Sequence, residues 1–283
     1  MDVGDDPRTP RPIDEGEPLT TSALFDCYDA FILDMDGTLT RGATLLPGAA
    51  AFLRDAAEAH KRLVVLTDNS TRSRDEIAAL LSRSGIRFPS DRVVTSARAA
   101  AVELHRRLGP CRVRMVGEPA LADDLRAMGH DVVSGAPADA VVVGFTDRFG
   151  YATLAETLPI LVSGAPLIAT DEAPVYAAPQ GTMPGAGSLV GAFRGMGYAP
   201  MCVAGKPRGA AVDLSLELVG APRGRVALIG DSLSNDGGAA RHLGVDFILV
   251  LTGVSSSQEA RNAVPHPARV YRTLADAARD VVR

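Results

Sequence analysis

Two pairs of aspartates follow short apolar segments of this 283-residue chain. One pair lies in Asp34-Met-Asp36-Gly-Thr, directly after Phe31-Ile-Leu33, and the other lies in Gly230-Asp231-Ser-Leu-Ser-Asn-Asp236. Carboxylates close together repel each other unless a proton or a cation lies between them. Mg²⁺ prefers oxygen ligands, takes one or two carboxylates and bridges to phosphate groups. The two segments therefore favour a magnesium site that acts on a phosphate ester.

The same aspartates offer the two activities that hydrolysis of a phosphate ester requires. One carboxylate can attack phosphorus and form an aspartyl-phosphate. The other can protonate the leaving oxygen and then deprotonate the water that breaks the intermediate. Two simpler interpretations stay open at this point. The Asp34 segment could be a plain turn or a fragment of a Ca²⁺-like loop, and the Asp231 segment could cap a helix over residues 237–243.

Thr67 and Lys206 complete this set of polar groups. Thr67 follows an apolar run, where a hydroxyl and the next backbone N–H groups can cradle an anion. Such a residue also commonly caps a helix, a task that Ser70 or Ser73 could equally perform. Lys206, in Gly205-Lys-Pro207, stands at an expected helix start, where the helix dipole disfavours a cation. A charge that neutralises phosphate and the nucleophilic carboxylate explains this lysine, and a solvated lysine is the alternative.

Short apolar runs alternate with helical stretches along most of the chain. The runs predict buried strands at Ala30–Met35, Arg62–Thr67, Val113–Val116, Ala140–Gly144, Pro166–Thr170, Arg225–Ile229 and Asp246–Leu251. Apolar residues at helical spacing predict helices over Gly48–His60, Ser73–Ser84, Ser96–Leu108 and Gly185–Met196. This alternation is typical of an α/β fold with a mostly parallel sheet. Ligands of such sheets bind beyond the carboxyl ends of the strands, and the polar segments follow the predicted strands.

Composition argues against several other classes of protein. The net charge of −5 and the pI near 5.6 argue against nucleic-acid binding, and the apolar runs are too short to span a membrane. Cys27, Cys111 and Cys202 lack metal or redox spacing, which predicts buried free thiols in a reducing compartment and hence a cytoplasmic protein. Residues 1–22 lack the apolar core of a secretory signal and are expected to form a disordered tail.

In the order and type of these segments, the chain resembles the haloacid dehalogenase (HAD) superfamily of phosphohydrolases. The superfamily pattern is DxDG(T/V), a strand-end Ser or Thr, a Lys, and GDxxxxD, and all four parts occur here in that order. The resemblance covers about residues 28–253. Further segments resemble the NagD-like, p-nitrophenylphosphatase-type subfamily. Among them are Thr67-Asp-Asn-Ser-Thr71, Pro184-Gly-Ala-Gly187, Gly205-Lys-Pro207 and Leu251-Thr-Gly-Val254.

The resemblance implies a role for each polar residue. Asp34 would be the nucleophile and Asp36 the general acid and base, while Lys206 would steady both the nucleophile and the phosphate. Phosphate would also contact the strand-end segment, made of Thr67, Asp68 and Asn69. Asp68 departs from the family pattern, because an Asn is common at this position. A carboxylate there would repel phosphate unless it points away or is paired.

The resemblance also implies Mg²⁺ as the cofactor. Its ligands would be Asp34, Asp36 through its backbone carbonyl, and Asp231. Asp236 would be an outer or alternate ligand. An Asp at position 36 favours a phosphatase over the ATPase members of the superfamily, which carry Thr there.

The spacing of the motifs predicts a second domain. Only 30 residues separate Asp36 from Thr67, but 138 separate Thr67 from Lys206, far more than one helix and one strand require. We therefore expect a Rossmann-like, doubly wound core at residues 23–95 and 203–283, with an α/β domain inserted at residues 96–202. In family terms the insert resembles a C2-type cap, which would close over the leaving group and could form a homodimer. Its candidate substrate contacts are Arg148, Asp171 and Gly185.

The expected substrate is thus a small phosphomonoester, without nucleic-acid or membrane partners. The sequence does not choose among sugar, glycerol, glycolate and nucleoside phosphates. A phosphotransferase or phosphomutase would use the same aspartyl-phosphate, although the comparable mutases carry their cap between the first two motifs. A non-catalytic protein that binds a phosphate ligand would tolerate loss of the motif residues, all of which are present.

Overall fold

A computed structural model of the chain describes residues 23–178 and 181–279, so the expected tail at residues 1–22 lies outside the described range. The strands are β1 (Ala30–Asp34), β2 (Thr40–Arg41), β3 (Thr44–Leu45), β4 (Arg62–Thr67), β5 (Val93–Thr95), β6 (Arg112–Val116), β7 (Asp131–Val133), β8 (Ala140–Val143), β9 (Leu167–Ala169), β10 (Val175–Ala178), β11 (Gly181–Pro184), β12 (Cys202–Val203), β13 (Val226–Gly230), β14 (Asp246–Val250) and β15 (Arg269–Tyr271). The helices are α1 (Ala23–Cys27), α2 (Ala49–Glu58), α3 (Arg74–Ser82), α4 (Ser96–Leu108), α5 (Pro119–Ala127), α6 (Tyr151–Val162), α7 (Ala186–Gly195), α8 (Ala210–Val219), α9 (Asp236–Leu243), α10 (Ser257–Asn262) and α11 (Leu274–Ala278).

Six parallel strands form the larger sheet, in the order β15-β14-β13-β1-β4-β5. On β1, Ala30 and Ile32 pack into one apolar cluster, while Phe31 and Leu33 pack into another on the opposite face. Both faces are covered, as expected for a parallel sheet. The chain adds β4 and β5 on one side of β1 and later adds β13, β14 and β15 on the other. The strand order therefore reverses at β1, which confirms the expected doubly wound core.

Five parallel strands form a second sheet, in the order β12-β9-β8-β6-β7. All of them come from the long interval between Thr67 and Lys206, and α4 packs against α8 beside the larger sheet. The α/β fold is thus confirmed. The bounds 96–202 for an inserted domain stay a prediction, and β12 (Cys202–Val203) straddles the expected boundary.

The predicted strands agree with the observed ones to within one residue at each end, and the predicted helices agree to within two. Short strands at the edges of both sheets were not predicted. The three cysteines are free but only half-buried, so the expectation of buried thiols was wrong. Within the described residues, the helices are all too short or too polar to cross a lipid bilayer.

Candidate active site

The carboxyl ends of three neighbouring strands bring the polar segments together. Asp34 is the last residue of β1 and Thr67 the last of β4, while Asp231 directly follows β13. Because β1 lies between β4 and β13, these residues meet at one edge of the sheet. Lys206 reaches the same edge from the turn before α8, which begins four residues later at Ala210. Lys206 therefore does not stand at the helix start. The expectation that it lies at a helix N-terminus, against the helix dipole, was wrong.

Lys206 lies between two buried carboxylates. Its Nζ is 2.6 Å from Asp34 Oδ1 and 2.7 Å from Asp236 Oδ1, and only 5% of the side chain is exposed. Burial acts to lower the pKa of Lys206, but the carboxylates of Asp236, Asp34 and Asp68 raise it well above its ordinary value. The lysine is thus a buried cation held at a fixed point, which excludes the solvated alternative.

Three buried carboxylates form a cluster beside this cation, and two of them, Asp34 and Asp236, contact it. Asp34, Asp231 and Asp236 each place one oxygen within 4.8 Å of the others. Burial raises the pKa of Asp34 and of Asp236 to about 6, although the charge of Lys206 opposes the shift. Burial and the charge of Asp236 raise the pKa of Asp231.

This group of carboxylates suits a divalent cation. One lysine cannot balance three carboxylates, and Mg²⁺ takes carboxylate oxygens of this kind. Asp236, which was expected as an outer or alternate ligand, belongs to the cluster itself. The carboxylate of Asp36 lies outside the cluster, so its expected part in binding the metal rests on its backbone carbonyl.

The Asp36 side chain faces solvent. Its Oδ1 accepts a hydrogen bond from Thr40 Oγ1 at 3.3 Å. The surrounding protein removes part of its hydration and so raises the pKa of Asp36, while the charge of Arg72 acts in the opposite direction. Arg72 is fixed by a 3.0 Å bond to the carbonyl of Gly42, between β2 and β3. An accessible carboxyl group with a raised pKa suits proton transfer. Arg72 was missed because an arginine in a polar loop forms no pattern.

Asp231 is fixed by the loop after β14. The Val254 N–H donates to Asp231 Oδ2 at 2.6 Å, and Thr252 Oγ1 donates to the Gly37 carbonyl at 2.5 Å. A Cβ at Gly253 would overlap Asp231 Oδ2, so the loop can approach this closely only with glycine there. This loop belongs to the segment Leu251-Thr-Gly-Val254, for which the sequence suggested no role. Its position shows that it orients a candidate metal ligand.

The segment after β4 folds onto itself. Thr67 Oγ1 accepts the Asn69 N–H at 3.1 Å, which leaves the hydroxyl proton of Thr67 free to donate to an anion. Asn69 Oδ1 accepts from the backbone N–H of Thr71 at 2.9 Å and of Arg72 at 3.0 Å. The Asn69 side chain therefore shapes the loop, and its oxygen is already engaged.

Helix caps come from other residues. Ser73 caps α3 and forms a capping box with Glu76, so Thr67 is not the cap of that helix. Ser70 Oγ instead accepts the Phe145 N–H at 3.2 Å, which links this loop to the end of β8 in the second sheet. α9 starts after Asn235, which makes no side-chain cap bond. The capping interpretation of Thr67 is therefore not supported. In the Asp231 segment, Ser232 Oγ accepts the Asn235 N–H at 3.1 Å in the turn that leads into α9, so this segment also supports the start of that helix.

The three candidate substrate contacts have different surroundings. Arg148 is 74% exposed and is paired with Glu118 at 2.8 Å. The N–H of Gly185 donates to the Pro174 carbonyl at 2.8 Å, so it is already engaged. Asp171 is buried, and its charge adds to the effect of burial in raising the pKa of Asp68. Of these three residues, Asp171 is the one whose charge acts on the groups around Lys206, because it raises the pKa of Asp68.

Comparisons with known proteins find two family models and several phosphatases. A model described as haloacid dehalogenase-like hydrolase matches residues 31–131, and a HAD-hydrolase-like model matches residues 203–277. The D-glycerol 3-phosphate phosphatase of Mycobacterium tuberculosis is 37% identical over 243 residues, which are 84% of this chain and 67% of that protein.

Solved structures of two phosphatases resemble the chain closely. The 4-nitrophenylphosphatase of Thermotoga maritima has a TM-score of 0.83 at 35% identity, over 90% of this chain and 98% of its own. The glycerol phosphate phosphatase of M. tuberculosis, in complex with magnesium, has a TM-score of 0.82 at 32% identity, over 93% of this chain and 79% of its own. The chain therefore belongs to the HAD-like hydrolases, in their NagD-like, p-nitrophenylphosphatase-type group, and is a phosphoric monoester hydrolase.

Proposed function

We propose that the chain hydrolyses a small phosphomonoester through an aspartyl-phosphate formed on Asp34. One observation carries this proposal. Lys206 holds Asp34 Oδ1, whereas the other oxygen, Oδ2, has no partner among the described residues. A carboxylate that is fixed at one oxygen and free at the other is prepared for attack on phosphorus.

The reaction would proceed in two steps. Asp34 Oδ2 forms a bond to phosphorus while the bond from phosphorus to the leaving oxygen breaks. Asp36 gives its proton to that oxygen, which departs as an alcohol. In the second step, a water attacks the phosphorus and gives a proton to Asp36, while the bond from phosphorus to Asp34 Oδ2 breaks. Inorganic phosphate and the free Asp34 carboxylate result. Lys206 and the Thr67 hydroxyl would hold the phosphate oxygens throughout.

Mg²⁺ is the cofactor that we propose. Asp34, the backbone carbonyl of Asp36 and Asp231 would hold it, with Asp236 as an alternate ligand. When bound, it would neutralise negative charge on the carboxylates and on the phosphate oxygens. The cluster of three buried carboxylates supports this proposal, as does the magnesium complex of the M. tuberculosis relative.

The substrate class that we propose is a small sugar, polyol or related metabolite phosphate. The relative named for D-glycerol 3-phosphate supports this class. Residues 96–202 would act as the cap that covers the leaving group, with Asp171 as the candidate contact whose charge acts on the site.

Replacement of Asp34 by asparagine tests the nucleophile. With Mg²⁺ supplied, we expect Asp34→Asn to lower the hydrolysis of p-nitrophenyl phosphate by at least about 10³-fold. Turnover at the wild-type rate would refute the assignment. A panel of glycerol 3-phosphate, phosphoglycolate, sugar phosphates and nucleoside monophosphates would then identify the substrate. Transfer of phosphate to a second hydroxyl, in place of release, would indicate a phosphotransferase.

A further inference from the structure

We propose that Asp68 is a positioning residue that fixes Lys206 through its backbone, and that the reaction needs the acceptor oxygen of Asp68 but not its negative charge. This inference rests on the proposed function, in which Lys206 holds the attacking carboxylate and the phosphate. It differs from the direct contact with phosphate that the sequence led us to expect for Asp68.

The Asp68 side chain is turned toward the main chain of Lys206. Its Oδ1 accepts the Lys206 N–H at 2.8 Å, while its Oδ2 is 4.0 Å from Lys206 Nζ. Asp68 is itself held on both sides. It follows Thr67 at the end of β4, and its carbonyl accepts a 2.7 Å bond from Ser96 Oγ at the start of α4. A residue held in this way can attach the Gly205–Lys206 segment to the end of the larger sheet.

Gly205 shows how closely this segment approaches Asp68. A Cβ at position 205 would lie 2.6 Å from Asp68 Oδ1 and 2.8 Å from the carbonyl oxygen of Thr170. Both distances are shorter than non-bonded atoms allow, so no side chain fits at this position. The contact with Asp68 therefore requires glycine immediately before the lysine, and it sets the point from which the Lys206 side chain extends.

The charge of Asp68 has no evident use at this place. Asp34 and Asp236 already contact Lys206 Nζ, so a third carboxylate is not required to neutralise it. The charge also lies near Asp171, which is itself acidic and buried, and it would repel an incoming phosphate. An asparagine oxygen at position 68 could accept the same N–H without this repulsion. Alanine would leave the N–H without its acceptor.

The pair of variants Asp68→Asn and Asp68→Ala separates the two properties, because both remove the charge and only the second removes the oxygen. With p-nitrophenyl phosphate and Mg²⁺, we expect Asp68→Asn to keep kcat within about twofold and to lower KM. Asp68→Ala should lower kcat by about 5- to 160-fold, the range expected when a buried N–H loses its acceptor. Gly205→Ala should lower kcat as well, because its Cβ would displace the Asp68 carboxylate.

An activity-independent readout uses the lysines of the chain, which number only two, Lys61 and Lys206. In protein labelled with ¹⁵N-lysine, the buried ammonium of Lys206 should exchange slowly and give a distinct signal. We expect this signal to persist in Asp68→Asn and to broaden or disappear in Asp68→Ala. Asp213→Asn and Asp213→Ala are matched controls, because Asp213 is exposed on the helix that follows Lys206.

Equal kcat values and equal ammonium signals in the two Asp68 variants would overturn the inference, whether both values are high or both are low. A wild-type kcat in Gly205→Ala would also overturn it. Failure of the proposed function has a different signature. The wild-type protein would then lack Mg²⁺-dependent turnover, or Asp34→Asn would retain it, whereas the Lys206 signal would still report on the position of the lysine.

Discussion

Replacement of Lys206 by methionine should destabilise the metal-free protein, and it should do so more strongly at pH 8 than at pH 5. Methionine has a similar length and an apolar end, so the variant would remove the cation and largely keep the packing. Asp34 and Asp236, which contact Lys206 Nζ at 2.6 and 2.7 Å, would then be left without their counter-charge. Asp231 lies in the same cluster and adds to the repulsion.

The size of the effect follows from the burial of all three partners. Removal of one partner from a buried ion pair costs about 3–5 kcal/mol. A chain of this length loses about 2 °C in Tm for each kcal/mol, so Tm should fall by about 6–10 °C at pH 8. The pKa of Asp34 and of Asp236 is raised from 3.8 to about 6, so the folded protein binds more protons than the unfolded chain between these values. Stability from these two groups is therefore present at low pH and is lost as the pH rises through 6.

In the variant, the pKa of both carboxyl groups should rise further, because the charge of Lys206 no longer lowers it. Both groups should then be protonated at pH 5, and the loss in Tm should shrink to less than half. Calorimetry in EDTA at the two pH values measures this difference. Lys61→Met is the matched control, since Lys61 is the other lysine of the chain and has no contact with the cluster. Equal losses in Tm at both pH values would refute the reasoning.

Two further predictions concern the proposed metal. Mg²⁺ should raise Tm more at pH 8 than at pH 5. Its carboxylate ligands must lose their protons before they bind the ion, and the pKa values of Asp34 and Asp231 are raised. An equal rise in Tm at both pH values would contradict this prediction. Gly253→Ala should increase the Mg²⁺ concentration for half-maximal activity by about tenfold or more, because its Cβ would overlap Asp231 Oδ2. Gly224→Ala, where a Cβ meets open space, is the control, and an unchanged Mg²⁺ requirement in Gly253→Ala would count against the role of the loop.

The central strands of both sheets could be predicted from the sequence, whereas the edge strands could not. Strands such as β13 (Val226–Gly230) are buried along their whole length and must be apolar throughout, so they appear as continuous runs. The unpredicted β5, β7, β12 and β15 lie at the four sheet edges and have only two or three residues. A strand that short needs no apolar run, and its neighbours in the sheet determine that it forms.

The candidate catalytic residues could likewise be found from the sequence, whereas the residues that hold them could not. Asp34, Thr67 and Asp231 each stand at the end of an apolar run, so the strand pattern points to them. Asp231 is held by the N–H of Val254, and the role proposed for Asp68 depends on the N–H of Lys206. Every residue except proline has such an N–H, so a bond of this type has no signature in residue type.

The charges of the site limit what the metal-free protein can do. At pH 8, above the pKa of about 6 of Asp34 and Asp236, these two carboxylates carry negative charge beside Asp231 in a cluster that Lys206 alone neutralises, and a phosphate group would add more. Phosphate should therefore bind weakly in EDTA at pH 8 and more tightly at pH 5, where carboxyl groups take up protons. A protonated Asp34, however, is a poor nucleophile. The conditions that admit phosphate without a metal thus remove the attacking group.

We expect calorimetric titration with phosphate at pH 5 to detect binding, while hydrolysis of p-nitrophenyl phosphate in EDTA stays absent at both pH values. Turnover in EDTA at pH 8 would contradict this balance of charges.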